Sequence, residues 1–200
     1  MKFFICCLML FMLSCEKKAP EKVVVKAQKA SSGTFVQDST KIKFTAYKLT
    51  RKVGVNGVFD VFTISNVKKG NSVAEMFTGA TFSIPISGLN TGMPARDTKI
   101  RKFFFDILKS SDVLTGSLKS VEGNTGVMEI TLNERTTEVN VKISRDGANI
   151  SVAGKIDLEA HHAQNAIAAL NAACGKNHIG EDGIPKMWPD VDFEITTVLQ

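Results

Sequence analysis

The chain has 200 residues, of which 44% are hydrophobic and 22% charged, with a formal net charge of +5. That length is one ordinary domain, or at most two very small ones, and it buries a sizeable core without disulfide staples. The balance excludes a disordered chain, and a modest surplus spread along the sequence lacks the clustered basic patch of a nucleic-acid binder. The aromatic content is lopsided, with 13 Phe against 1 Trp and 1 Tyr. Phe has no polar handle, so this load is committed to apolar surroundings.

In chain order, Met1-Lys2 and then Phe3 to Leu13 place one positive charge before an apolar run, the pattern of a secretory signal peptide. The run is too short for a membrane span, which takes roughly 20 residues. Leu13-Ser14-Cys15 resembles the lipobox of bacterial lipoproteins. The resemblance implies cleavage before Cys15 and acylation of its thiol and amine. An ordinary signal peptide with an incidental Cys is the alternative. Against it, charged Glu16-Lys17-Lys18 follow at once, and no Ala-x-Ala site competes. The expected layout is a signal peptide over 1–14, a lipidated Cys15 with a flexible tether over 15–33, and one domain over 34–200. Acyl burial contributes about 0.8 kcal/mol per CH₂, so such an anchor holds firmly. Val23 to Val25 is a short apolar patch in the tether and a candidate edge strand. Cys6 and Cys7 leave with the signal and Cys15 carries lipid. Cys174 is then alone, and no intramolecular disulfide forms.

From Phe35 onward the apolar period is two. It runs through Ile42, Phe44 and Ala46, then Val58 to Ile64, then Ala80, Phe82, Ile84 and Ile86. It resumes in Met128, Ile130 and Leu132, in Val139, Val141 and Ile143, in Ile150 to Ile156, and in Val191, Phe193 and Ile195. Gly and Asn turn signals punctuate these runs, which predicts antiparallel strands in a sandwich or barrel. Two stretches break the pattern. Residues 97–108 read as a helical turn with a Phe cluster. Residues 160–173 read as one short helix before the last strand, ended by Gly175.

Several of these segments resemble the YceI-like domain family. They are Asp38 to Phe44, Gly57-Val58-Phe59, Ile84 to Gly92, Arg96-Asp97, Ile100, Phe103 to Asp106, and Val191 to Ile195. The resemblance spans roughly 35–199. It implies an all-β, eight-stranded antiparallel, lipocalin-like barrel that holds a polyisoprenoid chain in the bacterial periplasm. The lipobox implies a tethered form, facing the periplasm or the cell surface. The Cys174 and His178 segment is an elaboration on the simplest form.

The residues expected to face the lumen are Phe44, Phe62, Phe82, Ile84, Ile86, Ile130, Leu132, Val141 and Phe193, all apolar. An eight-stranded interior either fills with side chains or holds one ligand. Their chemistry suits a hydrocarbon chain or a quinone-like ring. Phe103, Phe104 and Phe105 cannot all face inward, so Phe103 and Phe104 are candidates for a gate at one mouth, or for packing under the later helix. Arg96, Lys99 and Arg101 are cations able to meet a phosphate head group. Arg96-Asp97 is a candidate charged pair or cap. His161, His162, Cys174, His178 and Asp182 are the one metal-like set, since Cys-x₃-His is acceptable ligand spacing. No Gly-x-Ser-x-Gly, His-Glu-x-x-His or phosphate-binding Gly loop is present.

The leading expectation is a non-catalytic, lipid-anchored envelope protein. It binds an apolar chain without transforming it and needs no other cofactor. Its partners are that lipid and the membrane, not nucleic acid, with a homodimer left open. The alternatives are an envelope interaction protein with a filled barrel, and a metal or redox protein built on the Cys174 and His178 segment.

Overall fold

A computed structural model describes residues 33–200. The expected signal peptide, Cys15, the tether and the 23–25 patch lie outside the described residues. The sheet contains ten antiparallel strands. They are Lys41–Lys48 (β1), Val53–Phe59 (β2), Thr63–Ser65 (β3), Thr81–Pro85 (β4), Leu89–Asn90 (β5), Val113–Glu122 (β6), Thr125–Leu132 (β7), Arg135–Asp146 (β8), Asn149–Asp157 (β9) and Met187–Val198 (β10).

Ten segments make eight staves. β3 pairs with β4, and β5 pairs with β2. Between them the Asp60 N–H donates to the Gly88 carbonyl at 2.9 Å. β2 and β3 are thus halves of one broken stave, β4 and β5 halves of the next, and their ladder closes the ring. The break has local causes. Pro85 has no N–H to extend the ladder, and residues Ile86–Gly88 turn as a 3-10 helix. A Cβ on Gly88 would lie 2.9 Å from Val61 N, so only glycine fits this close approach.

The break also shifts the alternation. Phe59 is buried on β2, whereas beyond the break it is Ile64 that reaches the interior. The uninterrupted period expected over 58–64 is corrected accordingly. Elsewhere the period holds, with Met128, Ile130 and Leu132 on β7 and Val139, Val141 and Ile143 on β8 all buried.

Helices close both ends. Pro94–Phe103 (α2, after the short helix α1 at Val73–Phe77) and Gln164–Cys174 (α3) pack on each other across one end. Pro94 opens α2, where a missing N–H costs nothing. Gly175, at φ 50°, ends α3 as expected. At the other end, α1 begins with a side-chain N-cap at Ser72, braced by Glu75. Ser72 Oγ accepts from Glu75 N at 3.1 Å, and Glu75 Oε2 accepts from Asn71 N at 2.7 Å.

Three Phe rings shape the interior. Phe44 lies across from Gly57, Phe82 from Gly116, and Phe193 from Gly154. A Cβ on these glycines would meet the tip of the ring at 2.3, 2.3 and 2.6 Å respectively. The tip of each ring therefore lies over the bare backbone of the neighbouring strand.

His161, after β9, seals the α2/α3 end and is 0% exposed. The Arg135 carbonyl, 3.0 Å from Nδ1, can only accept, so Nδ1 carries the proton. Nε2 is then free to accept from Thr137 Oγ1 at 2.9 Å. Burial pushes the pKa of His161 down, against smaller upward pulls from backbone hydrogen bonds. His178 is shifted the same way, by burial and then by Lys48 and Lys99.

Two predictions follow from this architecture. Gly154→Ala drives the Phe193 ring off the wall and should cost about 1–3 kcal/mol in urea unfolding. Combined with Phe193→Leu it should cost less than the two single changes summed; additivity would show that the ring does not rest on the glycine. The second concerns pH. A histidine with a lowered folded pKa stays neutral while the unfolded chain binds protons below about pH 6.5. Its contribution to stability is complete above that value and is lost as pH falls toward the folded pKa. Urea midpoints should decline from about pH 7.5 to about 5.5, and less steeply in His161→Gln. An unchanged slope in the variant would remove His161 from this account.

An apolar cavity as the candidate functional site

Two cavities lie along the barrel axis. The larger, about 130 Å³, sits beneath α2 and α3. The smaller, about 70 Å³, sits beneath α1. Of the residues expected to face the lumen, Phe44, Phe82, Ile84, Ile130, Leu132 and Phe193 line the larger cavity. Phe104 joins them from the end of α2, buried edge-to-face against Phe105 at 5.0 Å.

Four of the candidates lie outside both linings. Val141 is buried in the wall between Gly126 and Gly154. Ile86 is buried in the turn that breaks the β4–β5 stave. Phe62 falls in the break after β2, only half-buried, with its carbonyl accepting from Gln37 Nε2 at 3.2 Å. Phe103 is half-buried, and the Lys102 ammonium lies 5.5 Å above its ring.

The lining also includes residues that strand periodicity does not find. Leu89 follows a turn, Leu158 lies in a loop, and Ile100 and Leu170 lie on helices. Ile100 and Phe104 are four apart, which is a helical signal. Leu89 and Leu158 carry no such mark.

The larger cavity is apolar throughout. Lys43 is the single charged residue along it, and its ammonium is 3.9 Å from Glu194, with the side chain half-exposed. In the smaller cavity the polar groups are already satisfied. Thr40 Oγ1 donates to Thr197 Oγ1 at 2.9 Å, and Thr81 Oγ1 accepts from Asn66 Nδ2 at 3.2 Å. The site therefore offers mainly shape and dispersion contacts. A cavity of about 150 Å³ lined by such side chains stays dry and takes one benzene. The larger cavity is of that size.

The α2 cations sit on the lid. Arg101 Nη1 donates to the Leu89 carbonyl at 3.1 Å, and Lys99 Nζ to the Ala173 carbonyl near the C-terminus of α3 at 3.4 Å. Arg96 Nη2 lies 2.6 Å from Met93 Sδ. Asp97 ties α2 back to the turn that precedes it. Buried, its Oδ1 accepts from Thr91 N at 2.9 Å and Thr91 Oγ1 at 2.6 Å.

The metal-like residues do not converge. Among the described residues no three His, Cys, Asp or Glu side chains form a metal-holding group. His161 is engaged at both nitrogens, and His178 Nδ1 meets Asn171 Oδ1 at 2.8 Å. His162, at φ 55°, is exposed. Asp182 accepts from Thr50 and from Ile184 N. Burial pushes the Cys174 thiol up, against weaker downward pulls from Lys99, Lys48 and Arg96. A raised thiol pKa is the opposite of what a nucleophile or thiolate ligand needs.

Comparison with known proteins agrees with this architecture. A family model described as the YceI-like domain matches residues 34–198. The Burkholderia cenocepacia protein BcnA superposes with a TM-score of 0.54 at 16% identity, covering 83% of this chain and 99% of that one. A polyisoprenoid binding domain from Saccharophagus degradans, implicated in plant cell wall breakdown, superposes at 0.52 and 19% identity, covering 86% and 100%. A Campylobacter jejuni YceI protein does so at 0.50 and 16% identity, covering 72% and 84%. No curated protein matches the sequence. With the matched span running from the first described turn to the end of the last strand, the chain belongs to the YceI-like domain family.

Proposed function

We propose that this barrel binds a polyisoprenoid or similar apolar chain and carries or sequesters it unchanged. The observation that carries the reading is the larger cavity, walled by apolar side chains, with three Phe ring tips lying over glycines of the neighbouring strands. A ligand with nothing to hydrogen-bond loses nothing there, whereas a polar one would be stripped of water without compensation. The polyisoprenoid binding named for the Saccharophagus degradans domain, a relative in fold, supports the same class. Acylated at Cys15, the protein works from a membrane anchor in the bacterial cell envelope. Arg96, Lys99 and Arg101, on α2 over the cavity, would meet a phosphate head group left outside through the donors not already given to the Ala173 and Leu89 carbonyls.

Mass spectrometry of the gently purified protein should recover an apolar lipid at about one per chain. A ligand present at about a hundredfold over its Kd stabilises by about 2.7 kcal/mol. For a domain of this size that raises Tm by roughly 5–10 °C. Added geranylgeraniol is expected to produce that shift. A barrel repeatedly recovered empty, with no response in Tm, would favour the filled-barrel interaction protein instead.

Metabolic labelling with a fatty acid tests the anchor. The parent should incorporate label and partition with membranes, and Cys15→Ala should do neither. Label retained in that variant would place the modification elsewhere.

A further inference from the structure

The two cavities are separated by four side chains that border both, Ile42, Phe82, Met128 and Ile195. These four are not equivalent. Ile42 and Ile195 are direct partners across β1 and β10, and β-branching holds each in few rotamers. They are the rigid half of the partition. Phe82 and Met128 form the other half, from β4 and β7. Met is unbranched and adapts its shape readily. Phe82 faces Gly116, so no Cβ on that strand fixes its ring from the side.

The partition matters because of size. The larger cavity alone accepts about one ring or branched unit, by comparison with a 150 Å³ cavity that takes benzene. A longer chain needs the smaller cavity and the space between. The geometry points to Phe82, supported by Met128, as the residue that sets how long an apolar chain the barrel accepts. Movement of Phe82 joins the cavities into one tunnel. The smaller cavity, closed by Phe35 edge-to-face on Phe77 at 5.6 Å, receives the far end of the chain.

This inference rests on the apolar-chain reading, and its experiment separates the two. The affinities of geraniol (ten carbons) and geranylgeraniol (twenty carbons) are measured for the parent, Phe82→Ala, Phe82→Leu and Leu89→Ala. Leu89 lines only the larger cavity, so its truncation adds space without opening the partition. Phe82→Ala should raise the preference for the longer alcohol about tenfold or more, since each buried CH₂ favours binding. Phe82→Leu, which keeps most of the buried area and so guards against a folding defect, should shift it the same way by less. Leu89→Ala should leave the preference near the parent's. Binding of both alcohols with the same preference in every variant, or an equal shift in Leu89→Ala, overturns the role of Phe82 alone. Failure of every variant and the parent to bind either alcohol overturns the apolar-chain reading and this inference with it.

Discussion

In a barrel of eight staves, side chains from opposite walls reach one another across the axis. Whether any space survives depends on how the largest of them lie. Here Phe44, Phe82 and Phe193 rest on Gly57, Gly116 and Gly154. The missing Cβ leaves room for each ring tip over the neighbouring strand. Phe44, Phe193, Gly154 and Val141 are consecutive partners across four strands, so one row of the wall carries much of this arrangement. The glycines weaken their strands intrinsically, and the overlying aromatic rings cover the backbone they expose.

The two ends are sealed by different means. At one end α2 packs on α3, and His161 is hydrogen-bonded into the rim through Arg135 and Thr137. That seal is polar, because displacing the buried His161 breaks its hydrogen bonds to Arg135 and Thr137. At the other end the five-residue α1 and a single edge-to-face Phe pair cover the smaller cavity. The chain also enters the barrel at this end, where Thr34 and Gln200 exchange backbone hydrogen bonds of 2.6 and 3.0 Å.

Much of the fold was legible in the alternation along β1, β7, β8 and β10, because a strand with one face in a lumen must alternate. The short helix before the last strand was legible in Ile167 and Leu170 and in Gly175. The errors have local causes. Over 58–64 a break of the stave changed which residue faces inward, displacing Phe62 and bringing in Phe59. Helix α1, at five residues, is too short to show a period, and Ser72 and Glu75 at its start are its sequence mark. The lid residues Ile100, Phe104 and Leu170 sit on elements whose contribution to a lumen depends on how they dock, which a period of two does not reveal.

The sequence by itself determined the class of the interior. Its aromatic load is almost all Phe, and Phe requires apolar surroundings wherever it lands. It also placed most of the turns and strand faces, and a family pattern over roughly 35–199. Only the tertiary structure decided that the interior is hollow, how large the void is, and that it is divided in two. Those outcomes hang on contacts between residues far apart in the chain. Phe193 meets Gly154, Ile42 meets Ile195, and Phe82 meets Gly116 only once strand register is set, and a shift of one residue would put each ring on the outside of the barrel.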